Sequence, residues 1–319
     1  GDRRVLALDA LTGAIIWQVP TTGPVDSSPA VAGGLVFFGL RDGRLIALDA
    51  QTGAQKWDFL TGNPVITSPV VAHGTVYVTS GDGFLYAIDA QTGKKRWTRE
   101  YGGFLLGSPV VVEDTVIATS SLGVLHVIDA FSGRHRLSYA VNAAVQSSPA
   151  VNGSTLVMGT DNGKVFAMDW RPLEYPFERG WLRWRSYMVY WKILDGPVPV
   201  QKGHLWGVQF RRNLFSAPAI VTQDRVYAAS REGMVLALDA ANGRTVWTRR
   251  LAGSVWASPV LVGDTLYIAS RDGSVRFLNA STGEVSREIK VGGGVAGQIV
   301  VAGGTLYVPS LDGTLYAVR

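Results

Sequence analysis

The chain has 319 residues, 47% of them apolar and 17% charged, with 38 glycines, ten tryptophans, no cysteine and a formal net charge of +5. A charge this mild, with no Lys/Arg run longer than three residues, argues against nucleic acid as a partner. The lack of cysteine excludes disulfides, thiolate metal sites and cysteine nucleophiles, and no apolar run is long enough to span a bilayer.

The chain opens in mid-pattern, leaving room upstream of Gly1 for an export signal or a lipid-carrying cysteine. Val5 to Leu8 reads as a strand that ends at Asp9, and a Thr12-Gly13 turn leads to a second strand carrying Trp17. Ser28 to Ala32 begins the next strand, with Pro29 at its start, where a missing N–H does least harm. Val36 to Phe38 follows a Gly-Gly turn, Leu45 to Leu48 follows the hairpin signal Asp42-Gly43, and Trp57 lies on a fourth strand after Thr52-Gly53. This order then repeats. The landmark aspartate stands at Asp9, Asp49, Asp89, Asp129, Asp169 and Asp239, with Asn279 in the same slot, in steps of 40 residues broken by one step of 70. Eight positions after it come Trp17, Trp57, Trp97, Leu137, Trp247 and Arg287, and Trp206 resumes the series after the long step.

Forty residues in four short antiparallel strands make one propeller blade, and radial repetition hides sheet edges. The predicted class is an all-β propeller, one domain over residues 1–319. Trp17, Trp57, Trp97, Trp206 and Trp247 are assigned to packing between neighbouring blades, and the Asp and Thr-Gly to the turn beside them. Third strands occur eight times and the other three types seven times each, so eight blades are expected, with seven as the alternative.

Residues 170–202 form an insertion where the third-to-fourth strand turn normally stands. It holds four of the ten tryptophans, and its basic residues Arg171, Arg179, Arg183, Arg185, Lys192 and Lys202 outnumber its acids. From Pro176 at N1 the spacing predicts a helix with Trp181, Trp184, Met188 and Trp191 on one stripe, and an aromatic-rich β-hairpin is the alternative. Trp181, Arg183, Trp184, Arg185, Tyr187 and Trp191 are the candidates there for a protein-partner or membrane-surface contact.

Two variable columns are expected at the mouth of the central funnel. One is Asp26, Ile66, Leu106, Gln146, Phe215, Trp256 and Ala296; the other is Arg41, Gly81, Ser121, Asp161, Arg231, Arg271 and Leu311. Arg41, Arg231 and Arg271 with Phe215 and Trp256 would suit a carboxylate or an extended acidic peptide. The four histidines are scattered, without metal-ligand spacing, and no phosphate loop or nucleophile elbow occurs.

The pattern Ala-x-Asp-Ala-x-Thr-Gly-x-x-x-Trp, as in Ala47 to Trp57, resembles the tryptophan-docking motif of the pyrroloquinoline-quinone-like (PQQ-like) propeller superfamily. That superfamily includes quinoprotein alcohol dehydrogenases, sensor domains of bacterial kinases and the lipoprotein of the outer-membrane barrel-assembly machinery. The last ends on a third strand, much as Asp312 to Arg319 does here. Its quinoprotein enzymes hold PQQ under a vicinal disulfide near calcium and a catalytic aspartate. This shorter chain has neither the cysteines nor an acidic cluster for calcium. The resemblance therefore implies a non-catalytic scaffold, without cofactor, in an extracytoplasmic, periplasmic, membrane-associated protein complex. A quinoprotein-like oxidoreductase or a receptor-kinase sensor domain is the alternative.

Overall fold

The computed structural model describes residues 3–105, 107–141, 143–175 and 177–319, and only the backbone of Arg179. The expectations for Leu106 and Pro176, and for the Arg179 side chain, lie outside these described residues. The chain divides into two compact units, residues 1–148 and 149–319.

The first unit begins with a two-stranded ribbon, Arg4–Leu8 paired with Ile15–Pro20, followed by four-stranded blades over 30–60, 70–100 and 110–140. The second unit holds four-stranded blades over 150–209, 220–250 and 260–290, and a three-stranded blade over 300–318. That makes seven blades, three plus four, and corrects the expectation of eight. The third-strand sequence at Arg4–Leu8 pairs with Ile15–Pro20 alone, and no first and second strands complete it among the described residues.

Burial within a blade follows strand position. In the blade over 30–60 every residue of the second strand, Leu35–Gly39, is buried, because it is covered on both faces. The fourth strand, Gln55–Leu60, alternates between exposed and half-buried residues, as an outer strand with one solvated face does. The apolar faces of successive blades interlock, as where Phe37, Leu45 and Ala47 meet Val76, Val78 and Ile88.

The recurring tryptophan ties one blade to the next. Trp57 Nε1 donates to the Ala90 carbonyl at 3.0 Å, and Trp97 Nε1 to that of Ala130 at 2.8 Å. Trp17 on the ribbon reaches Ala50 in the same way. In the second unit Trp206 donates to Ala240 and Trp247 to Ala280. The ring rests on the glycine of the next Thr-Gly turn. Gly93 has a φ of +69°, and a Cβ there would lie 2.8 Å from the Trp57 ring, so only glycine fits. The landmark aspartate orders that turn: Asp49 Oδ1 accepts from the Thr52 N–H and hydroxyl, each at 3.0 Å.

The insertion leaves the ladder of its blade undisturbed. Elsewhere the turn closes as in Asp49 N–H to the Ala54 carbonyl at 2.8 Å; here Asp169 N–H donates to Gly203 at 2.6 Å, across the whole extra segment. Trp170 is buried at its root, with Nε1 on the Gly153 carbonyl. One helix follows, α1 (Glu178–Tyr190), so the helix and not the hairpin forms, although it starts at Glu178. Glu178 holds its entry by accepting from Tyr175 N–H at 2.8 Å and pairing with Lys202 at 2.9 Å. Its exit is a Schellman turn: Lys192 sits at a φ of +57°, Lys192 N–H donates to Val189, and Ile193 N–H donates to Met188.

Candidate partner-binding site

Arg231, Trp256 and Arg271 form one cluster in the second unit. Trp256 lies in the connector leading to the blade over 260–290, between buried Val255 and Ala257, and is itself 40% exposed. The two arginines follow the second strands of the blades over 220–250 and 260–290. Each is fixed by its backbone: Arg231 N–H donates to Leu214 and Arg271 N–H to Ser254, both at 2.9 Å. Their guanidinium carbons lie 4.2 Å and 4.9 Å from the centre of the Trp256 ring. Arg231 Nε also donates to Ser216 Oγ at 2.8 Å.

The acids that follow the two arginines in the chain each have a partner of their own. Glu232 accepts from the Leu214 N–H at 2.7 Å. Asp272 pairs with Arg276 at 2.9 Å. Burial pushes the Asp272 carboxyl up, but hydrogen bonds from Ser270, Arg276 and Ser274 outweigh it and hold it at about 2. The cluster thus sets two guanidinium groups around one partly exposed indole. That combination receives a carboxylate through paired N–H donors and an apolar or aromatic neighbour through the ring.

One expected mouth residue of this unit, Phe215, is not part of the cluster. Phe215 is a correction: it is 1% exposed and packed in the core with Val157, Val165 and Val226. Its N–H donates to Thr160, as Val65 N–H does to Leu40, so Phe215 occupies the buried column and Ser216 the variable one. Arg41, in the first unit, is paired with Asp26. It stands to Asp26 as Arg231 stands to Ser216, and its charge is already answered.

In the insertion Trp184, Tyr187 and Trp191 are more than half exposed and recur at the three- and four-residue spacing of one helix face. Trp181 is 52% exposed, with the Arg185 guanidinium 5.5 Å from its ring centre. Arg183 is exposed and Met188 half-buried, so Met188 leaves the predicted stripe and Tyr187 joins it.

Some residues had escaped sequence reasoning. Arg276 is an 8%-exposed cation held by Ala252, Ser270, Asp272 and Glu288, a structural ion network beneath the cluster. The column of Ile46, Tyr86, His126, Phe166 and Leu236 is otherwise uncharged, and the charge in it was the available signal. Arg211 and Arg212 are exposed on the loop that leads to Leu214, which adds positive charge next to Arg231.

Four-stranded blades joined by docked tryptophans define a PQQ-like β-propeller. The family model described as outer membrane protein assembly factor BamB matches residues 1–104, 102–174 and 199–319, and the chain belongs to that family. No curated protein sequence matches it. Among solved structures it is similar to BamB from Moraxella catarrhalis, with a TM-score of 0.76 at 19% identity, over 96% of this chain and 86% of that one. It is also similar to a europium-containing methanol dehydrogenase, with a TM-score of 0.71 at 16% identity, over 98% of this chain and 78% of that one. A quinohemoprotein alcohol dehydrogenase from Comamonas testosteroni gives 0.72 at 17% identity, over 96% of this chain and 67% of that one. At these identities the likenesses establish the fold and no activity. As for a quinone–metal centre, no group of three or more histidines and carboxylates is placed to hold a metal ion among the described residues.

Proposed function

We propose that this protein is a non-catalytic scaffold of an extracytoplasmic, membrane-associated assembly complex, similar in role to BamB, and that it binds a protein partner through Arg231, Trp256 and Arg271. The observation that carries this reading is the pair of backbone-anchored guanidinium groups within 5 Å of one half-exposed indole. Such a site takes an extended segment with an acidic side chain next to an aromatic or aliphatic one. The family match to an outer-membrane assembly factor supports the periplasmic setting. No helix among the described residues is long and apolar enough to cross a membrane.

The test uses tagged full-length protein, isolated with its partner from its own cell envelope and then titrated against it. Removing both guanidinium groups (Arg231→Ala with Arg271→Ala) is expected to weaken the complex by about ten- to a hundredfold, from about 1.5–3 kcal/mol in charge-assisted contacts. Trp256→Ala is expected to cost a smaller part of that. Unchanged affinity in all three variants overturns the assignment of the site. Absorbance that shifts on adding PQQ with calcium, saturating at one equivalent, overturns the non-catalytic reading.

A further inference from the structure

We infer that α1 (Glu178–Tyr190) and its flanks form an in-plane anchor that binds the surface of an anionic phospholipid bilayer. The inference concerns a surface separate from the arginine–tryptophan cluster and does not rest on the reading given to that cluster.

The helix faces the wrong way for a helix of an isolated propeller. Leu182, Ser186 and Val189 share its half-buried side, while the outward side carries Trp184, Tyr187 and Trp191, with exposures of 51, 56 and 68%, joined by Tyr190 at 73%. Among the described residues no strand makes more than slight contact with α1. The exposed apolar surface continues on both sides, through Tyr175 and Phe177 before the helix and Ile193, Val198 and Val200 after it. So many exposed large apolar side chains within one segment mark a surface that something covers.

Side-chain chemistry selects the cover. Tryptophan and tyrosine, with an apolar ring and one polar atom, are the residues that settle at the boundary between headgroups and acyl chains. Cations flank them: Arg183 and Lys192 are exposed, and Arg185 stands 5.5 Å from the Trp181 ring. The single acid of the helix, Glu178, is neutralised by Lys202 at 2.9 Å, so the face offers positive charge to lipid phosphates. A 13-residue helix is too short to span a bilayer and suited to lying along it. The Glu178 entry and the Schellman exit hold that helix in shape before it meets lipid. The stretch between residues 174 and 199 also lies outside the family match, so the aromatic face is an addition to the shared fold.

The full chain should co-sediment with phosphatidylcholine vesicles containing about one-third phosphatidylglycerol, and added salt should weaken the association. Its tryptophan emission should shift to the blue and be quenched by brominated acyl chains. The triple variant Trp184→Ser, Tyr187→Ser and Trp191→Ser should lose at least about tenfold in vesicle affinity, and the quenching, while keeping the wild-type melting midpoint. Should that variant fail to fold, Arg183→Glu with Lys192→Glu carries the test, with binding to anionic vesicles lost and to neutral ones unchanged. No association of the wild type with vesicles overturns the inference. So does equal affinity for neutral vesicles, or variants that bind as the wild type does. A wild-type dimer in lipid-free solution that the triple variant abolishes, without vesicle binding, assigns the face to a second copy and overturns it too.

Discussion

Trp206 and Trp184 stand 22 positions apart in the same unit, Trp184 inside the segment that interrupts one turn and Trp206 on the strand that follows it, yet they do opposite work. Trp206 is 7% exposed, donates to Ala240 at 2.8 Å, and lies on a glycine whose Cβ would sit 2.5 Å from its ring. Trp184 is 51% exposed, on the outward side of α1. The side chain is the same; what differs is whether the next repeat supplies a carbonyl and a glycine to receive it. Repetition makes an aromatic structural, and a break in repetition leaves it available.

The largest expected effect breaks the docked member. Trp206→Ala should cost about 3–5 kcal/mol in denaturant melts, because a large buried aromatic leaves a cavity between blades. A loss as small as that of an exposed tryptophan would mean that the docking contact does not stabilise the fold. Next comes the ion network under the arginine cluster. Arg276→Ala should destabilise by about 1–3 kcal/mol, since Asp272, Glu288 and the Ala252 carbonyl lose their shared donor. The same network predicts a pH dependence. The Asp272 carboxyl is held at about 2 when folded, below its unfolded value, so its contribution is present at neutral pH and lost as pH falls from about 4 through 2. Thermal melts across that range should fall more steeply for wild type than for Asp272→Asn; equal slopes would place the charge elsewhere. The smallest effect belongs to the other tryptophan: Trp184→Ala should change stability by less than about 0.5 kcal/mol. A larger loss would show that α1 packs on the blades.

Much of the blade was legible because its signals are local and repeated. A glycine at positive φ, an aspartate two and three residues before the N–H groups it accepts, and a proline at a strand start each act over a few residues, and seven copies averaged out the noise. The misplacement of Phe215 shows where that ruler fails. The loop from Phe210 to Phe215 is one residue longer than that from Thr61 to Val65, and the step on to Pro218 is one shorter than that from Val65 to Pro69. The two changes cancel between Trp206 and Pro218, so the spacing stayed perfect while the inward and outward columns exchanged places.

Sequence alone determined the PQQ-like repeat, the four-stranded blade, the docking tryptophans' positions and the site of the insertion, since each follows from short-range backbone preferences multiplied by a fixed period. Tertiary structure decided the rest. It placed Phe215 in the core and Ser216 beside Arg231, because burial selects the register that fills the space next to Gly159. It set the blade count at seven, because a strand joins a sheet only where a neighbour's N–H and carbonyl groups meet it. It also turned the aromatic face of α1 outward: a helix orients by what lies against it, and with Leu182, Ser186 and Val189 on the half-buried side, Trp184, Tyr187 and Trp191 fall on the other.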